Sequence, residues 1–106
     1  MTIENNTFMN ILYIRNLPSD ITLIELRTLL EEFGAIYQIR MLIFFYRGFT
    51  YKTRGTAFVV FRNSTDANNA KLKLNGKNYR GKYMIVLQIN QEYKAKLNND
   101  IGVHFK

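Results

Sequence analysis

The spacing of apolar positions divides this chain into six elements. Ile11 to Asn16 reads as a short buried strand, closed by the turn sequence Leu17-Pro18-Ser19-Asp20. Thr22 with Glu25 three residues later is a capping-box pattern, and behind it Leu26, Leu29, Leu30 and Phe33 recur at helical spacing. Gly34 is the expected left-handed stop. Ile36 to Leu42 alternates as a second strand with Ile36, Ile39 and Met41 on one side, and Gly55 to Phe61 gives a third. Ser64 is placed to cap a second helix, in which Ala67, Ala70, Lys71 and Leu74 share a face. Small alanines let such a helix lie close on a sheet, and Asn75-Gly76 ends it. Tyr83 to Ile89 closes the series as a near-continuous apolar strand.

Strand, helix, strand, strand, helix, strand is the order of an α+β, ferredoxin-like βαββαβ domain. The expected architecture is a four-stranded antiparallel sheet with two helices on one face. Right-handed crossovers put the first and third strands side by side in the middle. Residues 1–9 read as a flexible tail and residues 10–90 as the domain. Residues 91–106 read as a partly helical tail able to lie on the sheet's other face, since Tyr93 and Leu97 fall four apart.

Composition narrows the chemistry. The chain's 106 residues are enough for one core, and the 47% apolar content is that of a globular domain. There is no cysteine, so disulfides, thiolate metal sites and cysteine nucleophiles are absent together. His104 is the only histidine, and Ser19 and Ser64, the only serines, fall in turn and cap contexts, so no nucleophile–base pair can be assembled. This points away from an enzyme, and no cofactor or small-molecule site is expected. The N-terminal stretch has neither a basic start nor a hydrophobic run, so no signal peptide is expected, and no apolar segment approaches the roughly 20 residues that a transmembrane helix needs. The net charge of +7 is lopsided: residues 1–36 carry −3, whereas the remaining 70 carry 13 basic against 3 acidic side chains. Such an excess favours a polyanion partner, nucleic acid before all others.

Two short runs carry the functional signal. Arg54-Gly55-Thr56-Ala57-Phe58-Val59-Val60-Phe61 satisfies seven of the eight positions of the RNA recognition motif octamer. Leu12-Tyr13-Ile14-Arg15-Asn16-Leu17 fits its companion hexamer of aliphatic, aromatic, aliphatic, any residue, Asn and Leu. Strand alternation sends Leu12, Ile14, Ala57, Val59 and Phe61 to the helices, and Tyr13, Arg15, Arg54, Thr56, Phe58 and Val60 to the open face. Tyr13 and Phe58 then form two flat rings on which single-stranded bases can stack, with Arg15, Arg40 and Arg54 placed for phosphates. Gly55 would let a nucleotide approach the backbone closely.

Three departures from an open platform stand out. Thr56 occupies a position usually held by a third ring. Tyr83, Ile85 and Leu87, with Val60 and Leu42, make the same face unusually apolar, which suits a bound peptide as well as the chain's own tail. Finally, the aromatic and basic run Met41 to Thr53 allows an RNA-stacking segment, an extended hairpin whose rings pack on the sheet, or a mobile loop.

Closer likeness follows from longer runs. Ile11-Leu12-Tyr13-Ile14-Arg15-Asn16-Leu17-Pro18 and Thr53-Arg54-Gly55-Thr56-Ala57-Phe58-Val59-Val60 resemble the small branch-site subunits of splicing factor 3b. So do Gln38-Ile39-Arg40 and the run Tyr83 to Leu87, and the likeness covers residues 10–95. The resemblance implies a nuclear spliceosomal protein that holds a peptide of the large HEAT-repeat subunit of splicing factor 3b. In that family the peptide and a C-terminal helix cover most of the sheet. A tyrosine at the position of Tyr13 meets the branch-point adenosine of pre-mRNA. The Met41–Thr53 run is longer and more aromatic than the family pattern. The alternative is an RRM-like protein-interaction module with little or no RNA contact.

Overall fold

A computed structural model of the chain describes residues 10–46 and 50–89, with only the backbone described at 42–46 and 50–52. The expected tails at 1–9 and 91–106 and the side chain of Leu42 lie outside the described residues. The elements run β1 (Ile11–Arg15), α1 (Leu23–Glu31), β2 (Ile36–Tyr46), β3 (Thr50–Phe61), α2 (Ser64–Leu74), β4 (Asn78–Tyr79), β5 (Lys82–Tyr83) and β6 (Ile85–Ile89). The main sheet is antiparallel in the order β2-β3-β1-β6, and β4 and β5 form a separate two-stranded ribbon. This is the ferredoxin-like fold that the element order implies.

Local chemistry accounts for most boundaries. Thr22 Oγ1 accepts from the Glu25 N–H at 3.1 Å and Glu25 Oε1 accepts from the Thr22 N–H at 3.0 Å, closing the capping box reciprocally. Ile21 before the cap and Leu26 after it are both fully buried in one core cluster, as a hydrophobic staple requires. Leu26 and Leu30 are the buried face of α1, with Leu29 and Phe33 packed against the core. Gly34 differs from a simple stop: a Cβ there would collide with the Asp66 side chain of α2. In β2 the apolar residues Ile36, Ile39 and Met41 break strict alternation, and a bulge between Ile36 and Gln38 absorbs the extra residue. All three therefore pack against the helix-side core.

Three expectations need correction. The second helix is capped by Asn63, not Ser64; Asn63 has extended dihedrals, and its carbonyl accepts from the Ala67 N–H at 3.1 Å. Its side-chain amide instead donates to Asp66 Oδ2 at 3.3 Å. The last strand is not continuous from Tyr83. Met84 exchanges backbone hydrogen bonds with Gly76 (2.7 Å) and Lys77 (2.9 Å), which peels Tyr83 away from the main sheet into the ribbon. The ribbon turns at Arg80-Gly81, both at positive φ, the pattern of a type I′ hairpin. The third strand starts at Thr50 rather than Gly55, and β2 and β3 pair out to Tyr46 and Thr50. The backbone of the 41–53 run is therefore paired as an extended arm, and what its aromatic side chains touch lies outside the described residues.

The core lies between the sheet and the helices. Leu12, Ile14, Ala57, Val59 and Phe61 meet Leu26, Leu30, Ala67, Ala70 and Leu74 there, and all are essentially inaccessible. Among the described residues no helix is long and apolar enough to cross a membrane.

Candidate nucleic-acid interface

Strand register orders the opposite face into rows. Arg40, Phe58, Tyr13 and Leu87 are successive cross-strand partners and form one row across all four strands. Gln38, Val60, Ile11 and Ile89 form the next. Arg15 pairs with Ile85 on the far side of Tyr13. The face is graded along the strands. Ile11, Phe58 and Ile89 make a buried apolar cluster at one end, with Tyr13 and Val60 against it. Arg15 and Arg54 are exposed towards the other, and Thr56 is half-buried.

Tyr13 and Phe58 do not lie side by side as two platforms. Their rings stack on each other with centroids 4.6 Å apart and planes 15° off parallel. Phe58 is only 4% exposed, whereas Tyr13 is half-buried. The pair is worth about 0.5–1.5 kcal/mol beyond its buried area. It leaves Tyr13 as the ring with surface to offer and Phe58 as its support. Arg40 is half-buried in the same row, and its Nε is buried without a hydrogen-bond acceptor. A buried unpaired donor costs about 1–3 kcal/mol, which an acceptor on a ligand would relieve.

The residues expected to hold a peptide separate. Ile85 is 42% exposed and Leu87 and Val60 are half-buried on the main sheet, but Tyr83, 64% exposed, belongs to the ribbon.

Two signature residues have structural duties that alternation does not reveal. Asn16 sits at φ +63, a region asparagine tolerates, and its side-chain amide donates to the Tyr83 carbonyl at 2.8 Å. Gly55 sits at φ +75, where a Cβ would lie 2.8 Å from the Leu17 carbonyl oxygen. Close approach at Gly55 is therefore between β3 and the β1–α1 connection.

A polar cluster that sequence reasoning missed ties that connection to the ribbon. Arg80 reaches Asp20 at 2.8 Å and Glu25 at 3.2 Å, and the Tyr79 hydroxyl donates to Glu25 Oε2 at 3.1 Å. The Thr22 backbone N–H holds the Glu25 carboxyl below its usual range against an opposing desolvation effect, with help from Tyr79 and Arg80. Burial pushes the Tyr79 hydroxyl up, and its hydrogen bond to Glu25 adds to this. The partners are more than 50 residues apart in sequence, so no local pattern could have found them.

Residues 12–85 match the RNA recognition motif family. The chain is 40% identical over 101 residues to a splicing factor 3B subunit 6-like protein of Schizosaccharomyces pombe, covering 95% of this chain and 83% of that protein. It is 45% identical over 86 residues to splicing factor 3B subunit 6 of Drosophila melanogaster, covering 79% of this chain and 66% of the fly protein. Among solved structures, an Sxl-lethal protein/RNA complex superposes with a TM-score of 0.69 at 29% identity, over 78% of this chain and 49% of that one.

Proposed function

The chain belongs to the RNA recognition motif family, in the branch of the splicing factor 3B subunit 6 proteins, and from this premise we propose that it is a non-catalytic RNA-binding subunit of the nuclear pre-mRNA splicing machinery. Its RNA target is the single-stranded branch-site region. Its protein partner is a peptide of the large HEAT-repeat subunit of splicing factor 3b, held on the apolar part of the sheet. The observation that carries the reading is the half-exposed Tyr13 ring, backed by Phe58, with Arg15 two residues along β1 and Arg40 beyond Phe58 in the same row. One base stacks on Tyr13, while Arg15, Arg40 and Arg54 attract phosphates. Thr56 borders the same row, and Leu42, Val60, Ile85, Leu87 and Tyr83 remain the peptide-side candidates.

Crosslinking to branch-site RNA in the assembled complex tests this. Losing a stacking ring costs about 1–3 kcal/mol, roughly a 5- to 150-fold loss of affinity. Tyr13→Ala should therefore strongly reduce crosslinking while the protein still melts cooperatively. Undiminished crosslinking would sink the assignment of Tyr13.

One observation favours a second reading, a protein-interaction module. Phe58 is almost fully buried, and the exposed or half-buried neighbours Ile85, Leu87 and Val60 are apolar. Titration with single-stranded RNA, with and without the HEAT-repeat peptide, separates the two. Absence of RNA contact in both states decides for the module.

A further inference from the structure

Each helix carries a large apolar residue on the side turned away from the sheet. Ile24 in α1 is 78% exposed, and Leu72 in α2 is 67% exposed. At about 3.6 residues per turn, Ile24 stands opposite the buried Leu26–Leu30 stripe, and Leu72 opposite Ala67, Ala70 and Leu74. Neither side chain belongs to the core, so folding does not account for them.

Topology brings the two to one end of the helical layer. α1 joins β1 to β2, which run parallel, and α2 joins β3 to β6, which run the other way. The helices are therefore antiparallel. Side chains at both ends agree with this. Tyr79 and Arg80, just after α2, reach Glu25 in the first turn of α1, and Asp66 in the first turn of α2 crowds Gly34, just past α1. Ile24, in the first turn of α1, is thus level with Leu72, in the last turn of α2.

Charge divides the layer in the same way. α1 with its C-cap carries Glu25, Glu31 and Glu32 against Arg27, whereas α2 carries Lys71 and Lys73 against Asp66. A layer with an acidic half and a basic half, each bearing one apolar residue at the same height, is complementary to its own copy. A two-fold axis parallel to the helices turns the layer over, keeps every height and lays α1 on the second copy's α2. Ile24 then meets the second copy's Leu72, and symmetry makes this contact twice. The acidic helix faces the basic one, and each helix N-terminus faces a C-terminus. Laying α1 on a second α1 would instead set like charge against like.

We propose that the helical layer is a self-association surface through which two copies of this chain form an isologous dimer, with both sheet faces turned outward. This inference does not depend on RNA binding. The dimer is weak. Helices of 9 and 11 residues, side by side, present at most about 17 Å by about 22 Å, a footprint of roughly 350 Å² per partner. That is less than half of the ~800 Å² per partner in a standard stable interface.

The test is sedimentation velocity of the full chain from about 10 μM to about 1 mM, a range that brackets a weak interface. Wild type should shift towards dimer as concentration rises. Leu72→Glu and Ile24→Lys, each alone, should weaken self-association by roughly tenfold or more, because each change strikes both symmetric contacts. Neither should alter the melting temperature, since both sites lie on the surface. An equimolar mixture of the two variants should recover the wild-type shift. In that mixed dimer one contact stays Ile24 on Leu72, and the other becomes a lysine–glutamate pair. Wild type that stays monomeric throughout overturns the proposal. So does a mixture no more associated than its components, or a variant that self-associates as wild type does. If wild type stays monomeric while Leu72→Glu loses the HEAT-repeat peptide, the layer belongs to that peptide and the proposal fails.

Discussion

Replacing Gly55 by alanine should destabilise the fold through two separable effects. At φ +75 an L-residue pays about 1–2 kcal/mol for the left-handed conformation. The new Cβ would also sit 2.8 Å from the Leu17 carbonyl oxygen, which is main chain and cannot swing aside. Relieving that contact strains the Leu17–Gly55 and Thr53–Ser19 backbone hydrogen bonds, each worth about 0.5–1.5 kcal/mol net. Together the loss is about 2–4 kcal/mol, or a fall of roughly 10–30 °C in melting temperature for a domain of this size. Gly81→Ala is the internal control. Gly81 has φ +90, but nothing lies within 4 Å of its added Cβ, so only the conformational part should appear. Urea unfolding of both variants isolates the contact: Gly55→Ala should lose about 1–2 kcal/mol more than Gly81→Ala. Equal losses would refute the contact argument and return Gly55 to the nucleotide-approach role that the motif alone suggests.

Two further perturbations follow from the same geometry. The Glu25 carboxyl is held below its usual range, so its contribution is complete above its unfolded-state pKa and disappears as pH falls through the lower folded value. Melting curves of wild type and Glu25→Gln should therefore differ at neutral pH and converge in strong acid; parallel curves would contradict the cluster. Tyr79, pushed up, has the opposite sign: its contribution holds below its ordinary value near 10 and is lost as pH rises through the folded value, and Tyr79→Phe should flatten that alkaline limb. Beyond the pair Ile43–Thr53, the β2–β3 arm is laddered strand to strand, while β1 pairs with β3 only between Ala57 and Val60. Replacing residues 44–52 by an Asn-Gly turn should thus leave the melting temperature within a few degrees, and a cooperative collapse of the fold would show that the arm is part of the core.

Where apolar spacing had a single period, the sequence was readable. Leu12, Ile14, Leu26 and Leu30 reached the core as their spacing required, and the spacing of Ile36, Ile39 and Met41 already contained the bulge. The break at Met84 left no trace, because Tyr83 and Ile85 continue the alternation perfectly well. It is decided by the Gly76 and Lys77 backbone, a nonlocal partner that competes with β1 for Met84. The hairpin was ambiguous for a different reason. Leu42 to Tyr46 are all apolar, so no face can be distinguished by period, and only the pairing with Thr50 to Thr53 reveals two strands. Asn63 and Ser64 are adjacent residues of equal capping rank, which composition cannot order.

The RNA-binding signature carries less functional information than its match suggests. Asn16 is needed for a left-handed residue that braces Tyr83, Gly55 for the passage beneath Leu17, and Phe58 for the ring behind Tyr13. Each would be required by the packing of this fold even in a domain that bound nothing. What packing does not require is the distribution of charge: Arg15 and Lys82 are exposed cations at the end of the molecule where the apolar cluster stops, and Arg80 occupies the nearby acids. A variant carrying Arg15→Gln and Lys82→Gln should therefore fold as wild type and lose salt-dependent RNA affinity. Tyr13→Phe should keep both the fold and the stack. If the charge-stripped variant bound RNA as well as wild type, the signature would be describing a sheet and not a ligand.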